Sequence, residues 1–512
     1  MKKILFVPVI LVLLLIIVFI GYQRANNNTV QTQNGPISGK IEAGARAYLG
    51  IPFAAPPVGD LRWQPPQPAK PWTKARSCTE FGPACPQPEV RPNLGKTNED
   101  CLYLNVWTPA KKENENLPVM VFIHGGAFLV GAGSEPIYNP VNIVKKGVVA
   151  VTINYRLGVF GFLAHPELSA ESPNGVSGNY GLLDQIAALM WVKQNIAAFG
   201  GNPDNVTIFG ESAGSLSVAA LMISPLSQGL FHRAICESGA VHGQKYLFPN
   251  ATGSMEQALA TGQKAQRRLG AGSLKEMRAV PADELLKKIN AYYGLIDKNL
   301  EFQLVYDGWA LPTEWDLHDV PIIVGSNADE GAVFVDDAGK ISAEEYQAWV
   351  KDNFGARAKD VFALFPAEKD EEVKQAFAKL LTVAIFAEPG RYLARSMEQK
   401  KSKAYLYQLT RVPLTKMGKE FGAYHGLDIG YVFGNLDKAE GYDEKDFKLS
   451  GRIMDYWVDF ARTGDPNGTG RPNWPAYDSQ TDQNIEFGDE VKVKSHLLQK
   501  AADLFDKINA HY

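Results

Sequence analysis

The chain has 512 residues, of which 45% are hydrophobic, and a formal net charge of −4. It is long enough to bury a large core, and its charge is too balanced for a protein that grips nucleic acid through phosphates. No low-complexity block, long like-charge run or fixed-period repeat occurs, which excludes disordered and solenoid architectures.

Lys2 and Lys3 precede an unbroken apolar run over residues 4–20. A cleavable signal has an apolar region of about 7–15 residues and a small-residue cleavage site. This run is longer, and Phe19-Ile20-Gly21-Tyr22 offers no such site. A run of this length just spans a bilayer, and the lysines would stay in the cytoplasm. Residues 1–22 are therefore predicted as an uncleaved membrane anchor, with a cleaved signal as the alternative. The polar, Asn-rich residues 23–34 follow as a tether, and 35–512 as one catalytic domain. That domain would be exported: membrane-anchored on the extracytoplasmic side, or secreted or periplasmic if the segment is cleaved.

Export permits disulfides. Cys78, Cys85 and Cys101 lie close together in a Pro-rich stretch with little regular pattern. A staple is expected there, its pairing left open. Cys236 follows Ala234-Ile235 and reads as a small buried residue. None of the spacings suits zinc.

Beyond the Pro-rich loops the pattern becomes α/β. Val119-Met120-Val121-Phe122-Ile123 reads as an apolar strand and leads into His124-Gly125-Gly126-Ala127-Phe128. A second strand is predicted at 148–154. Residues 182–199 place Leu182, Ile186, Leu189, Met190 and Ile196 at helical spacing, stopped by Gly200-Gly201. The strand Asn205-Val206-Thr207-Ile208-Phe209 turns into Gly210-Glu211-Ser212-Ala213-Gly214, and an Ala-rich helix follows over 215–223. Residues 254–302 and 342–399 are mainly helical in pattern and flank a strand at 320–325. Residues 404–409 alternate as a strand, and 452–461 and 495–508 read as late helices. Apolar strands alternating with helices imply a mostly parallel sheet covered on both faces, with helical insertions above it.

G-x-S-x-G arises by chance in long proteins, but a strand before it and a helix after it put the serine on a strained bend with its hydroxyl exposed. A serine hydroxyl needs a base to take its proton, and the base needs an orienting acid. In α/β-hydrolases the order is serine, acid, histidine. The strand at 320–325 ends in Ser326-Asn327-Ala328-Asp329-Glu330-Gly331, so Asp329 and Glu330 are both candidate acids, and spacing does not choose between them. Three histidines follow residue 330 in the chain. His496 sits among lysines in a predicted surface helix, and His511 is next to the terminus. That leaves His425, in the loop Gly422-Ala423-Tyr424-His425-Gly426. Oxyanion donors are expected from the His-Gly-Gly loop and the N–H of Ala213. With a reference imidazole pKa of about 6.5, hydrolysis should fall below about pH 6.

Several segments resemble the type-B carboxylesterases, the group that includes cholinesterases and bacterial para-nitrobenzyl esterases. They are Gly50-Ile51-Pro52-Phe53-Ala54, Glu99-Asp100-Cys101-Leu102-Tyr103-Leu104-Asn105-Val106, Asn154-Tyr155-Arg156-Leu157-Gly158, Gly178-Asn179-Tyr180-Gly181-Leu182-Leu183-Asp184-Gln185, Phe199-Gly200-Gly201-Asn202-Pro203 and the segments around Gly126 and Ser212. The resemblance implies an α/β-hydrolase fold with Ser212 as nucleophile, Glu330 as acid and His425 as base. It also implies oxyanion donors at Gly126, Ala127 and Ala213, and a disulfide between Cys85 and Cys101. Arg62–Glu99 and Arg156–Asp184 resemble the family's structural ion pairs. Ala127 stands where many members have a third glycine, so its methyl narrows the pocket.

The sequence thus predicts a serine hydrolase that acts on small carboxylic esters without a cofactor, metal or nucleic acid, with a membrane contact through residues 1–22 if they are retained. The alternatives are a catalytically silent adhesion module on the same scaffold, or the same chemistry on amides, lactones or carbamates.

Overall fold

In the computed structural model, residues 28–89, 94–95, 97–240, 253–289, 301–314, 316–337 and 340–509 are described. The apolar run at 4–20 lies outside them, and among the described residues no helix is long and apolar enough to cross a membrane. Residues 29–34, expected as the end of the tether, are structured: Thr29–Thr32 pairs antiparallel with Gly35–Ser38, and Val30 and Thr32 point inward.

Among the described residues, eleven strands form the main sheet: β1 (Lys40–Glu42), β2 (Ala45–Pro52), β3 (Tyr103–Thr108), β4 (Leu117–Ile123), β5 (Val149–Ile153), β6 (Gly201–Glu211), β7 (Arg233–Glu237), β8 (Ile322–Asn327), β9 (Ala404–Leu409), β10 (Gln483–Phe487) and β11 (Val491–Ser495). Their spatial order is β11-β10-β9-β8-β7-β6-β4-β5-β3-β2-β1. From β10 to β5 every neighbouring pair is parallel, and both edges are antiparallel. This is an α/β-hydrolase arrangement: a large, mostly parallel sheet flanked by helices.

The period-2 geometry of a strand explains why the central strands read as continuous apolar runs. In β4, Val119, Val121 and Ile123 face a core shared with the helices Tyr180–Asn195 and Ala213–Ile223. Met120 and Phe122 face the opposite core, built with Leu427–Phe433 and Glu444–Thr463. A third core joins Ala343–Phe354, Asp370–Leu381 and Gln499–Asn509 in a helical insertion, and Leu129 and Val130 reach into it from the loop after β4.

The Cys85–Cys101 disulfide is formed, while Cys78 and Cys236 are free and buried. Arg62 pairs with Glu99 at 2.5 Å and Arg156 with Asp184 at 2.7 Å, as the resemblance implied. Two helix expectations change. The predicted helix over 182–199 ends at Asn195 and tightens into a 3₁₀ turn, Ile196–Phe199. The predicted helix over 495–508 starts at Gln499, because β11 alternates Val491 and Val493 with lysines and pairs along β10. His496 therefore sits in a turn with φ +62°, not in a helix.

Candidate active site

Parallel strands bring the loops after β4, β6, β8 and β9 to one edge of the sheet, the carboxyl edge where α/β proteins build their sites. The chain reverses at Ser212, whose φ is +56°, a strained conformation for a residue with a Cβ. Its N–H donates to the carbonyl of Glu237 in β7 at 2.9 Å. The helix that follows approaches β4 so closely that a Cβ on Gly214 would collide with the carbonyl oxygen of Ile123. Only glycine permits that contact.

His425 Nε2 lies 2.8 Å from Ser212 Oγ, and its Nδ1 lies 2.6 Å from Glu330 Oε2. An ionised carboxylate only accepts, so it holds the ring proton on Nδ1 and leaves the Nε2 lone pair facing the hydroxyl. Glu330 Oε1 accepts from Ser238 Oγ at 2.5 Å and from the N–H of Asn327 at 2.6 Å. Asp329, the other candidate acid, does not reach the imidazole. Its Oδ2 accepts from the N–H of Ala423 at 2.8 Å and so braces the loop that carries His425. The rings of Phe334 and Phe386 stand 5.0 and 4.9 Å from the imidazole and shield it. They come from the helix Gly331–Asp337 and a π-helical turn, Thr382–Ala387, of the insertion. His496 faces Asp482 instead, at 3.7 Å.

The loop after β4 has φ of +105° at Gly126, +55° at Ala127 and +60° at Phe128. Gly126, Ala127, Ser212, Ala213 and His425 line one cavity of about 300 Å³, completed mainly by apolar side chains such as Leu216, Phe334 and Ile429. Among the described residues no group of three or more His, Cys, Asp or Glu is arranged to hold a metal ion.

The carboxylesterase family model matches residues 26–505. The chain belongs to the carboxylesterase family. It is 38% identical over 475 residues to the fumonisin B1 esterase of Sphingopyxis macrogoltabida, covering 90% of this chain and 86% of that one. It is also 38% identical over 493 residues to the para-nitrobenzyl esterase of Bacillus subtilis (strain 168), covering 91% and 96%. A solved PNB esterase superposes with a TM-score of 0.81 at 35% identity, over 94% of this chain and all of that one. The protein is accordingly a type-B carboxylesterase, an enzyme of ester hydrolysis.

This carboxylesterase surrounds its imidazole with more carboxylates than sequence reasoning foresaw. Glu211, the variable residue of the G-x-S-x-G motif, puts Oε1 3.2 Å from His425 Nε2. Asp428 accepts from Tyr407 Oη at 2.9 Å and from Asn327 Nδ2 at 3.2 Å. Burial pulls the His425 pKa down, but the charges of Glu211, Glu330 and Asp428 outweigh it and hold the value raised, at about 9. Burial, then the charge of Glu330, raises Asp428 to about 6. Glu237 is raised well above the usual carboxylate range, by burial first and Asp428 second. Glu211 was readable from its place beside Ser212. Ser238, Asp428 and Gln303, which also borders the cavity, carried no local signal.

Proposed function

We propose that this carboxylesterase works through an acyl-enzyme on Ser212. His425 removes the hydroxyl proton through Nε2 as Oγ attacks the ester carbonyl. Glu330 orients the ring and stabilises the imidazolium that forms. The N–H groups of Gly126, Ala127 and Ala213 receive the oxyanion. The imidazolium then protonates the leaving alcohol, and a water activated by the same base releases the acid. The observation that carries this reading is the continuous chain from Ser212 Oγ to His425 Nε2, 2.8 Å, and from His425 Nδ1 to Glu330 Oε2, 2.6 Å.

The substrates on this reading are small carboxylic esters, in keeping with a largely apolar cavity of about 300 Å³. Residues 35–512 act as one catalytic unit, exported and held to the membrane by the N-terminal segment. The Cys85–Cys101 disulfide supports an oxidising compartment.

A fluorophosphonate probe should label the wild type on Ser212 and spare Ser212→Ala. That variant should lose on the order of 10⁴-fold or more in turnover. Labelling or ester hydrolysis that survives in Ser212→Ala would overturn the reading.

A further inference from the structure

The loop that offers Gly126 and Ala127 is strained, and a buried side chain from a distant segment holds it. Ala127 and Phe128 both adopt left-handed backbone, φ +55° and +60°. Residues with a Cβ disfavour that region, and such conformations persist only where their surroundings over-determine them. Two backbone anchors bracket the strained pair. The Gly126 carbonyl accepts from the N–H groups of Leu129 and Val130 at 2.9 and 3.0 Å, and the Phe128 carbonyl accepts from the N–H of Gly158 at 2.7 Å. Between them, the Ala127 carbonyl accepts from Gln303 Nε2 at 2.9 Å.

N–H and C=O of a trans peptide point in opposite directions. Holding the Gly126 carbonyl therefore aims the Ala127 N–H, and holding the Ala127 carbonyl stops φ of Ala127 from relaxing. Without the Gln303 amide, that torsion relaxes out of the left-handed region and pulls on the Gly126–Ala127 peptide, whose N–H is then held only through the two bonds to the Gly126 carbonyl.

Gln303 is built into its place. It is itself buried, 3% exposed, and its neighbours Phe302 and Leu304 are in the core. Glu301 is ion-paired with Lys264 and Arg268 at 2.9 and 2.6 Å. Val305 donates to Asn179 Oδ1 at 2.9 Å and accepts from Asn179 Nδ2 at 2.6 Å. The amide thus arrives on a strap fixed on both sides, which is what a supporting group needs if it is to hold geometry.

We propose that Gln303 is a positioning residue for ester cleavage: its amide locks the Ala127 carbonyl and keeps the Ala127 N–H aimed at the oxyanion. This rests on the acyl-enzyme reading above.

The test compares wild type with Gln303→Met, which keeps the length of the side chain and removes the donor. Three quantities are read on the full-length protein: kcat and KM with p-nitrophenyl butyrate, affinity for an alkyl trifluoromethyl ketone that forms an oxyanion on the serine, and the melting temperature. Deleting an oxyanion donor outright costs about 10²–10³ in kcat, so misaiming one should cost about 10- to 50-fold. KM should stay within about threefold, and ketone affinity should fall by the same factor as kcat/KM, as expected for an interaction made in the transition state. A kcat within about twofold of wild type, or a loss carried by KM with ketone affinity unchanged, would make Gln303 a structural strut and overturn the proposal. If Gln303→Met does not fold, Gln303→Leu, which also lacks a donor, is judged by the same criteria. Ester hydrolysis that persists in Ser212→Ala would instead sink the acyl-enzyme reading, whatever Gln303 does.

Discussion

Glu330→Gln exchanges one oxygen for an NH₂ group at constant shape, and the structure says what that exchange does. Both carboxylate oxygens are acceptors: Oε2 faces His425 Nδ1, and Oε1 receives Ser238 Oγ and the N–H of Asn327. The amide can sit in two ways. With its NH₂ toward Asn327, two N–H donors face each other at a site that is fully buried. The hydroxyl of Ser238 can turn to accept, but a backbone N–H cannot, so this placement costs about 1–3 kcal/mol. With its NH₂ toward His425, the ring must offer a lone pair at Nδ1 and move its proton to Nε2, opposite Ser212. A neutral imidazole changes tautomer at little cost, so the second placement wins. The base then has no lone pair for the serine proton, and its imidazolium loses the carboxylate charge. The expected outcome is a fall in kcat of about 10³–10⁴-fold with a nearly unchanged melting temperature. Steady-state kinetics with p-nitrophenyl butyrate, run beside thermal melting, give both numbers. A loss below about tenfold in a folded variant would refute the role of Glu330 in fixing the tautomer.

The pH profile of kcat/KM should show its lower limb near pH 9, not near 6 as the unperturbed histidine suggested, because only the neutral ring accepts a proton and its pKa is raised to about 9. Glu211→Gln removes a charge 3.2 Å from Nε2 and should move that limb to lower pH. A wild-type limb at about 6.5, or one that Glu211→Gln leaves in place, refutes the electrostatic account. Replacing Cys85 and Cys101 together by alanine opens a loop with a sequence separation of 16, which chain entropy values at about 3 kcal/mol. The midpoint of urea unfolding should drop accordingly, and an unchanged midpoint contradicts the estimate. Glu237→Gln should be tolerated, within about 1 kcal/mol of wild type, because burial already favours the neutral form of that side chain. A severe loss of stability would mean that Glu237 is charged in the folded protein.

What the sequence made legible is local. The turn at Ser212 is written in adjacent residues: an apolar strand, two glycines where elements touch, and a helix. Strands such as β4 and β5 were readable because burial on both faces makes them nearly continuous apolar runs, whereas β7, bounded by Arg233 and Glu237, was not read as a strand. Spacing left the choice between Asp329 and Glu330 open, and in the sequence only the family resemblance pointed to Glu330. Both follow β8, and only the return of the chain through His425 decides which carboxylate meets the ring and which meets Ala423. The same holds for Ser238, 92 residues from Glu330, and for Gln303, 176 residues from Ala127. β2 was hidden for a different reason. β2 carries a register shift between Tyr48 and Ile51, and a shift of that kind breaks the alternation by which a strand is recognised.

The buried acids around the base are kept apart by their hydrogen bonds, and this explains how one site can hold them all. The charges of Glu211, Glu330 and Asp428 bear on one imidazole and Glu237 bears on Asp428 and Glu211 in turn, and neighbouring buried carboxylates cannot all keep their charge. The donors are distributed unequally. Glu330 collects a hydroxyl, a backbone N–H and the imidazole N–H. Asp428 collects a phenol and a side-chain amide. Glu237 receives the indole N–H of Trp457 on Oε1, and its Oε2 has no donor. Of Glu330, Asp428 and Glu237, the one with the most donors thus lies against His425 Nδ1, and the one with the fewest, Glu237, is the one raised well above the usual carboxylate range. Hydrogen-bond donors are concentrated on the carboxylate that faces His425 and are fewer on Glu237. Fixed dipoles arranged in advance of the reaction are worth most in such a dry setting, because nothing has to reorganise when the charge appears.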